Sequence, residues 1–134
     1  MDKYLYWLDR VEGLGPLAKR NLIEAFGTAK EVFGAKDRHL QCILDERKLD
    51  ILKNARSEVE IDKSFHELHE MNIQMCCYHE KDYPCKLMNI PDPPFCLYYR
   101  GHMPDENIPS VAIIVEGSGA HSIFSIMFSA LSLF

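Results

Sequence analysis

No lysine or arginine follows Arg100. The last stretch of the chain therefore brings no permanent cation to a phosphate backbone. The whole is acidic as well, with 15 Lys and Arg against 20 Asp and Glu and a formal net charge of −5. Such a chain is no general electrostatic magnet for nucleic acid. Any contact of that kind needs a local basic face or backbone N–H donors. No C-x-x-C pair occurs among the cysteines Cys42, Cys76, Cys77, Cys85 and Cys96. Their odd number, with two adjacent, makes a poor disulfide framework and a poor zinc pattern, so reduced thiols in a cytosol are expected. The opening MDKYLYWLDR carries charges throughout, which leaves no apolar run for a secretory signal and gives a cytoplasmic expectation. Repeats and low-complexity runs are absent too.

What is present fits one ordinary domain or two very small ones: 134 residues, 47% hydrophobic and 26% charged. The first half has helical spacing, with apolar residues at Tyr4, Leu5, Leu8 and Val11 and again at Leu17, Leu22, Ile23 and Phe26. Glu12-Gly13-Leu14-Gly15-Pro16 separates the two sets. Pro16 stands where a first helical residue belongs, because its missing N–H would be unpaired there anyway. Thr28, with Glu31 three residues on, has capping-box spacing and opens a short helix that Gly34 closes. Asp45-Glu46 starts a charged helix with Ile51 and Leu52 inward. A long helix then runs to about Met71, its apolar stripe read as Val59, Ile61, Phe65, Leu68 and Met71, and Asn72 is the expected stop.

The period changes after residue 72. IQMCCYHE (73–80), FCLYYRG (95–101) and SVAIIV (110–115) read as strands, and YPCKLMN as one or two helical turns. SVAIIV is β-branched without polar alternation, which suits a parallel sheet covered on both faces. His121 to Phe134 contains no Asp, Glu, Lys or Arg and offers at most one crossover helix; it is too short for a bilayer span. The expected fold is α+β, a helical domain over 1–72 followed by an incomplete α/β domain over 73–134.

Three groups of residues suggest chemistry. Val11-Glu12-Gly13-Leu14-Gly15 has the form of a helix-hairpin-helix turn, whose backbone N–H groups at a helix start can hold phosphate. Gly13, Gly15, Lys19 and Arg20 are accordingly the candidate nucleic-acid contacts. Arg10, Lys19, Arg20, Lys30, Lys36 and Arg38 outnumber Glu12, Glu24, Glu31 and Asp37 in that region. The bland alternative is a glycine turn joining two packed helices. His66, His69, Cys76, Cys77 and His79 are zinc-type ligands, but their spacing fits no standard site, and a solvated helix face followed by a buried strand explains them better. Gly117-Ser118-Gly119 follows the third strand as a phosphate turn would, yet Ser122 stands where the fingerprint wants glycine, and no catalytic constellation accompanies it. No enzyme, cofactor or metal is expected.

The stretch YPCKLMNIPDPPFCLYYRG, from Tyr83 to Gly101, is the most specific part. Its prolines at 84, 91, 93 and 94 fix an extended, pre-ordered connector. Tyr83-Pro84, Leu87, Ile90, Asp92-Pro93-Pro94, Leu97-Tyr98 and Gly101, followed by Val111-Ala112-Ile113-Ile114, resemble the DNA-processing protein A family (DprA, also called Smf). The resemblance covers residues 1 to about 115. It implies a SAM-like or helix-hairpin-helix domain leading into a Rossmann-like domain. In that family the second domain binds single-stranded DNA, loads RecA during natural transformation and forms dimers; its members are not known as enzymes.

Where the family continues Gly-Ser-Arg after the strand, this chain has Val115-Glu116-Gly117. The chain is thus expected to be a truncated form without the DNA pocket, with single-stranded DNA and RecA as partners of full-length relatives. The abrupt change of composition favours a shifted reading frame near codon 115 over a natural short variant. The other class of reading is a small helical module for protein contacts with a vestigial tail. Ile113, Ile114, Phe124, Ile126, Phe128 and Leu131 are expected to lie partly exposed beside an open sheet edge, favouring self-association; no membrane contact is expected.

Overall fold

A computed structural model describes residues 1–103, 111–114 and 126–129. Asp2 caps the first helix, α1 (Lys3–Arg10), by accepting from the Tyr4 N–H at 2.8 Å. Pro16 opens α2 (Pro16–Phe26), which Gly27 ends at φ +87°. The Thr28–Glu31 capping box is formed in both directions and starts α3 (Ala29–Gly34). A single turn, α4 (Asp37–Leu40), leads to Asp45, whose carboxylate accepts from the Lys48 N–H at 2.8 Å and caps α5 (Glu46–Asn54). The long helix α6 (Glu58–Glu70) stops at Asn72, a non-glycine residue at φ +55°. Asparagine tolerates that left-handed conformation better than most side chains.

The spacing of Ile61, Phe65 and Leu68 matches the stripe that α6 turns inward. Val59 and Met71 do not join it; they are 80% and 55% exposed. Val59 sits two positions before Ile61, on the far side of the helix, and Met71 lies beyond its last turn. Leu17, in the first turn of α2, is likewise exposed at 63%.

Two strands complete this part of the chain. β1 (Gln74–Cys77) pairs antiparallel with β2 (Cys96–Tyr99), placing Cys76 opposite Leu97 and Cys77 opposite Cys96. Between them lies the one-turn helix α7 (Cys85–Met88). Alternation along β1 sends Met75 and Cys77 into the same core as Leu8, Leu22, Val32 and Leu52, where Phe95 and Cys96 join them. The compact unit therefore runs from Met1 to Gly101, whereas the sequence divides near residue 72, and the reason is this shared core.

His102–Phe134 forms a second unit. Within it β3 (Val111–Ile114) pairs antiparallel with β4 (Ile126–Ser129), Val111 opposite Ser129 and Ile114 opposite Ile126. The strand expected at SVAIIV is present. The parallel arrangement is not, and a strand occupies part of the segment expected as the helix from His121 to Phe134. Antiparallel pairing needs no crossover helix, so apolar runs with few helix signals satisfy their backbone this way. The mixture of helices and small sheets agrees with an α+β class. The expected exposure of Ile113, Ile114, Phe124, Ile126, Phe128 and Leu131 lies outside what the structure describes.

The expectation of reduced thiols is corrected at one pair: Cys77 and Cys96 are joined by a disulfide. The physical reason is the register, since cysteines directly opposite on paired strands sit within bonding reach. Cys42 and Cys85 are free and exposed; Cys76 is free and buried. Among the described residues no helix is long and apolar enough to cross a membrane.

Candidate nucleic-acid interface

The glycine turn is built by packing. Leu14, between the two glycines, is buried in the core. Gly13 has φ +87°, and a Cβ added there would come within 2.8 Å of the Ile51 side chain on α5. The left-handed conformation calls for glycine, whereas the contact is with the far end of a flexible side chain that can shift. Gly15 is different: its φ is −70° and a Cβ would meet nothing within 4 Å. It serves as the N-cap of α2 without a side chain to satisfy the helix start. Since Pro16 has no N–H, Leu17 and Ala18 supply the outward donors of that first turn.

The two cations expected one turn on are differently placed. Lys19 points inward and is only 7% exposed. Its ammonium donates to the backbone carbonyl of Asp9, faces the Asp9 carboxylate at 3.9 Å and lies over the Phe95 ring, 6.0 Å from its centre. Burial pulls this lysine below the usual range, against the opposing pull of Asp9. Arg20 lies over the face of Tyr78, 4.8 Å from the ring centre, in cation–π geometry. Arg10 covers Tyr6 in the same way at 5.6 Å. Lys30 and Lys36 are exposed. The region rich in basic residues thus spends one cation on the core and two on aromatic faces.

The proline connector is held by two tyrosines whose roles the spacing did not reveal. Tyr83 is 2% exposed, and its hydroxyl donates to the Pro94 carbonyl at 2.7 Å. Tyr78 packs edge-on to Tyr83 at 5.6 Å, so Arg20, Tyr78, Tyr83 and Pro94 form one continuous line from α2 to the connector. Tyr98 reaches from β2 to α1, donating to Asp9 at 2.7 Å. Burial, then the neighbouring Asp9 carboxylate, holds that phenol well above its usual range. The partners of both tyrosines lie far away in sequence, 11 and 89 positions respectively, so no local signal announced either role.

The zinc-type residues are dispersed. His66 faces Glu70 at 3.5 Å, His69 packs on Phe65, Cys77 is in the disulfide and His79 is exposed. Among the described residues no group of His, Cys, Asp and Glu is arranged to hold a metal. Gly117-Ser118-Gly119 and the departure at Val115-Glu116-Gly117 lie outside the described residues.

Comparison with known proteins adds independent information on the connector and the strand after it. Residues 74–123 match the family model for DNA recombination-mediator protein A. Protein Smf of Borreliella burgdorferi is 42% identical over 53 residues, covering 36% of this chain and 17% of that protein. The chain therefore spans only a small part of the length of the curated relative it matches. No solved structure matches. The matched stretch opens on β1, contains Tyr83, Pro94 and Tyr98, and runs past the change of composition after Ile114. Over these residues the chain is similar to the DprA/Smf family, as its proline motif implied.

Proposed function

We propose that this chain serves DNA processing of the recombination-mediator kind, as a form without the DNA pocket, with Met1–Gly101 as a support that fixes the proline connector, which in full-length relatives leads into a Rossmann-like, single-strand-binding part. The observation that carries this reading is the family match over 74–123, whose motif residues Tyr83 and Tyr98 are each anchored by a hydrogen bond at 2.7 Å. In this reading the helical hairpin braces the connector, and single strands and RecA are partners of the relatives' later segments.

Direct DNA contact by this chain is then weak. With Lys19 turned inward, the hairpin offers the Leu17 and Ala18 N–H groups and the rim of Arg20. Titrating a labelled single-stranded oligonucleotide over a range of salt tests this, because phosphate contacts weaken as counterions are added. Weak binding at physiological salt is expected, lost further in Arg20→Ala. Submicromolar binding that survives Lys19→Ala combined with Arg20→Ala would place the site elsewhere.

The composition change after Ile114 supports a shifted frame near codon 115. Translating the other two frames from that codon is expected to yield a Gly-Ser/Ala-Arg start and a long continuation; stop codons alone would remove the idea. A second reading, protein contact through the helical unit, draws support from Leu17 and Val59, exposed at 63% and 80% on α2 and α6. Partner binding of that kind would be insensitive to salt, which separates the two readings.

A further inference from the structure

The cysteine pair sits at the neck of a loop. Cys77 and Cys96 end β1 and begin β2, face each other in register and are 19 positions apart. Every residue of the proline connector from Tyr83 to Pro94 falls inside the ring their bond closes. The same neck is tied without covalent bonds as well: the Tyr78 N–H donates to the Phe95 carbonyl at 2.8 Å, and Tyr83 donates to the Pro94 carbonyl. Opening the disulfide therefore leaves a closed but looser loop.

Both oxidation states suit this position. Cys77 and Cys96 belong to the hydrophobic core, and a buried free thiol behaves there as a small apolar group. The neighbouring Cys76 points to the other face of β1, opposite Leu97. It is poorly placed to compete, and burial keeps its thiol protonated at neutral pH. Of the three cysteines on these two strands, Cys77 and Cys96 are thus the pair that bonds, while the exposed Cys42 and Cys85 lie off the strands.

We propose that Cys77 and Cys96 form a redox clasp that sets how readily the connector loop opens. Closure removes one proton and one electron from each thiol. A low-molecular-weight disulfide such as oxidised glutathione takes up the electron pair and leaves as two thiols. Because both sulfurs are buried, exchange proceeds through transient opening of the neck, and the clasp responds slowly to its surroundings. The clasp acts on the connector whatever that connector serves, so it stands independently of the DNA reading. In the chain-entropy account, releasing a bridge across a loop of this size favours opening by about 100-fold.

Trypsin reads this on the full chain, since Lys81 and Lys86 lie inside the ring and cleavage there requires the loop to open. The chain is equilibrated with oxidised glutathione or with dithiothreitol, and mass spectrometry after alkylation establishes the state of each cysteine. The expected results are a Cys77–Cys96 bridge in the oxidised sample and faster cleavage at Lys81 and Lys86 in the reduced one. Cys77→Ser combined with Cys96→Ser should cleave at the reduced rate under both conditions, and Cys76→Ser should keep the difference. Failure to form that bridge, or equal cleavage of verified oxidised and reduced wild-type chain, overturns the proposal without recourse to any variant.

Discussion

The Tyr98 hydroxyl and the Asp9 carboxylate, 89 positions apart in sequence, meet at 2.7 Å. The same Asp9 faces Lys19 at 3.9 Å through its other oxygen and accepts from it at the backbone carbonyl. One aspartate on α1 thus ties α2 and β2 together. Tyr98→Phe removes one charged hydrogen bond on a residue 41% exposed and should cost about 1 kcal/mol. Asp9→Ala removes both carboxylate partners and leaves a buried ammonium without its counter-charge, at a cost of about 3 kcal/mol. Urea midpoints of the two variants give the order. Equal losses would mean that Lys19 does not depend on the Asp9 carboxylate.

Tyr83→Phe should destabilise by about 1–3 kcal/mol, because it takes the donor from the Pro94 carbonyl at a part-buried position. The accompanying change is local: amide exchange should quicken first in the segment 83–95, ahead of the α-helices. Uniform quickening across the helices would show that the connector and the helical core open as one.

Cys76 gives a pH dependence of known sign. Burial, reinforced by Glu80 and Asp82, raises its thiol from 9.0 to about 11. Between those values the unfolded chain releases the proton and the folded chain keeps it, so the stability this thiol contributes is fully present below about 9 and lost as pH rises toward about 11. Relative to Cys76→Ala, wild type should fall in denaturant midpoint across that window and run parallel to it below. A constant difference throughout would put the thiol in an aqueous setting.

A chain ending at Gly101 should melt cooperatively, and one ending at Asn72 should be markedly less stable. The shorter fragment lacks Met75, Cys77, Phe95 and Cys96, which complete the core around Leu8 and Leu22. Circular dichroism melts with light scattering decide between them. A 1–72 fragment as stable as 1–101 would support the boundary read from the change of period.

That boundary shows where the sequence was legible and where it was not. Caps and breaks are local chemistry, so Pro16, the Thr28–Glu31 box and the Asn72 stop stood in the sequence as they stand in the structure. The shared core is non-local, and no spacing rule announces that Cys96 lies opposite Cys77 or that Tyr98 finds Asp9. The direction in which Lys19 points was hidden for a related reason. A lysine one turn after a glycine hairpin has the same spacing whether it points to solvent or to a carboxylate on the preceding helix. The resemblance rested on the proline motif, which carries more information because rigid residues at fixed intervals are rarely interchangeable.

The chain has one tryptophan, Trp7. Its indole N–H donates to the Ala55 carbonyl at 2.7 Å, and its ring meets Phe33 edge-on at 5.0 Å, within a side chain 4% exposed. Light emitted from this chain at the red edge of protein absorption therefore originates in the helical core and none of it in the connector. Loosening the loop should leave that emission unshifted, while loss of the core moves it toward the wavelength of indole in water. The protein carries its own colour code for telling a local opening from a global one.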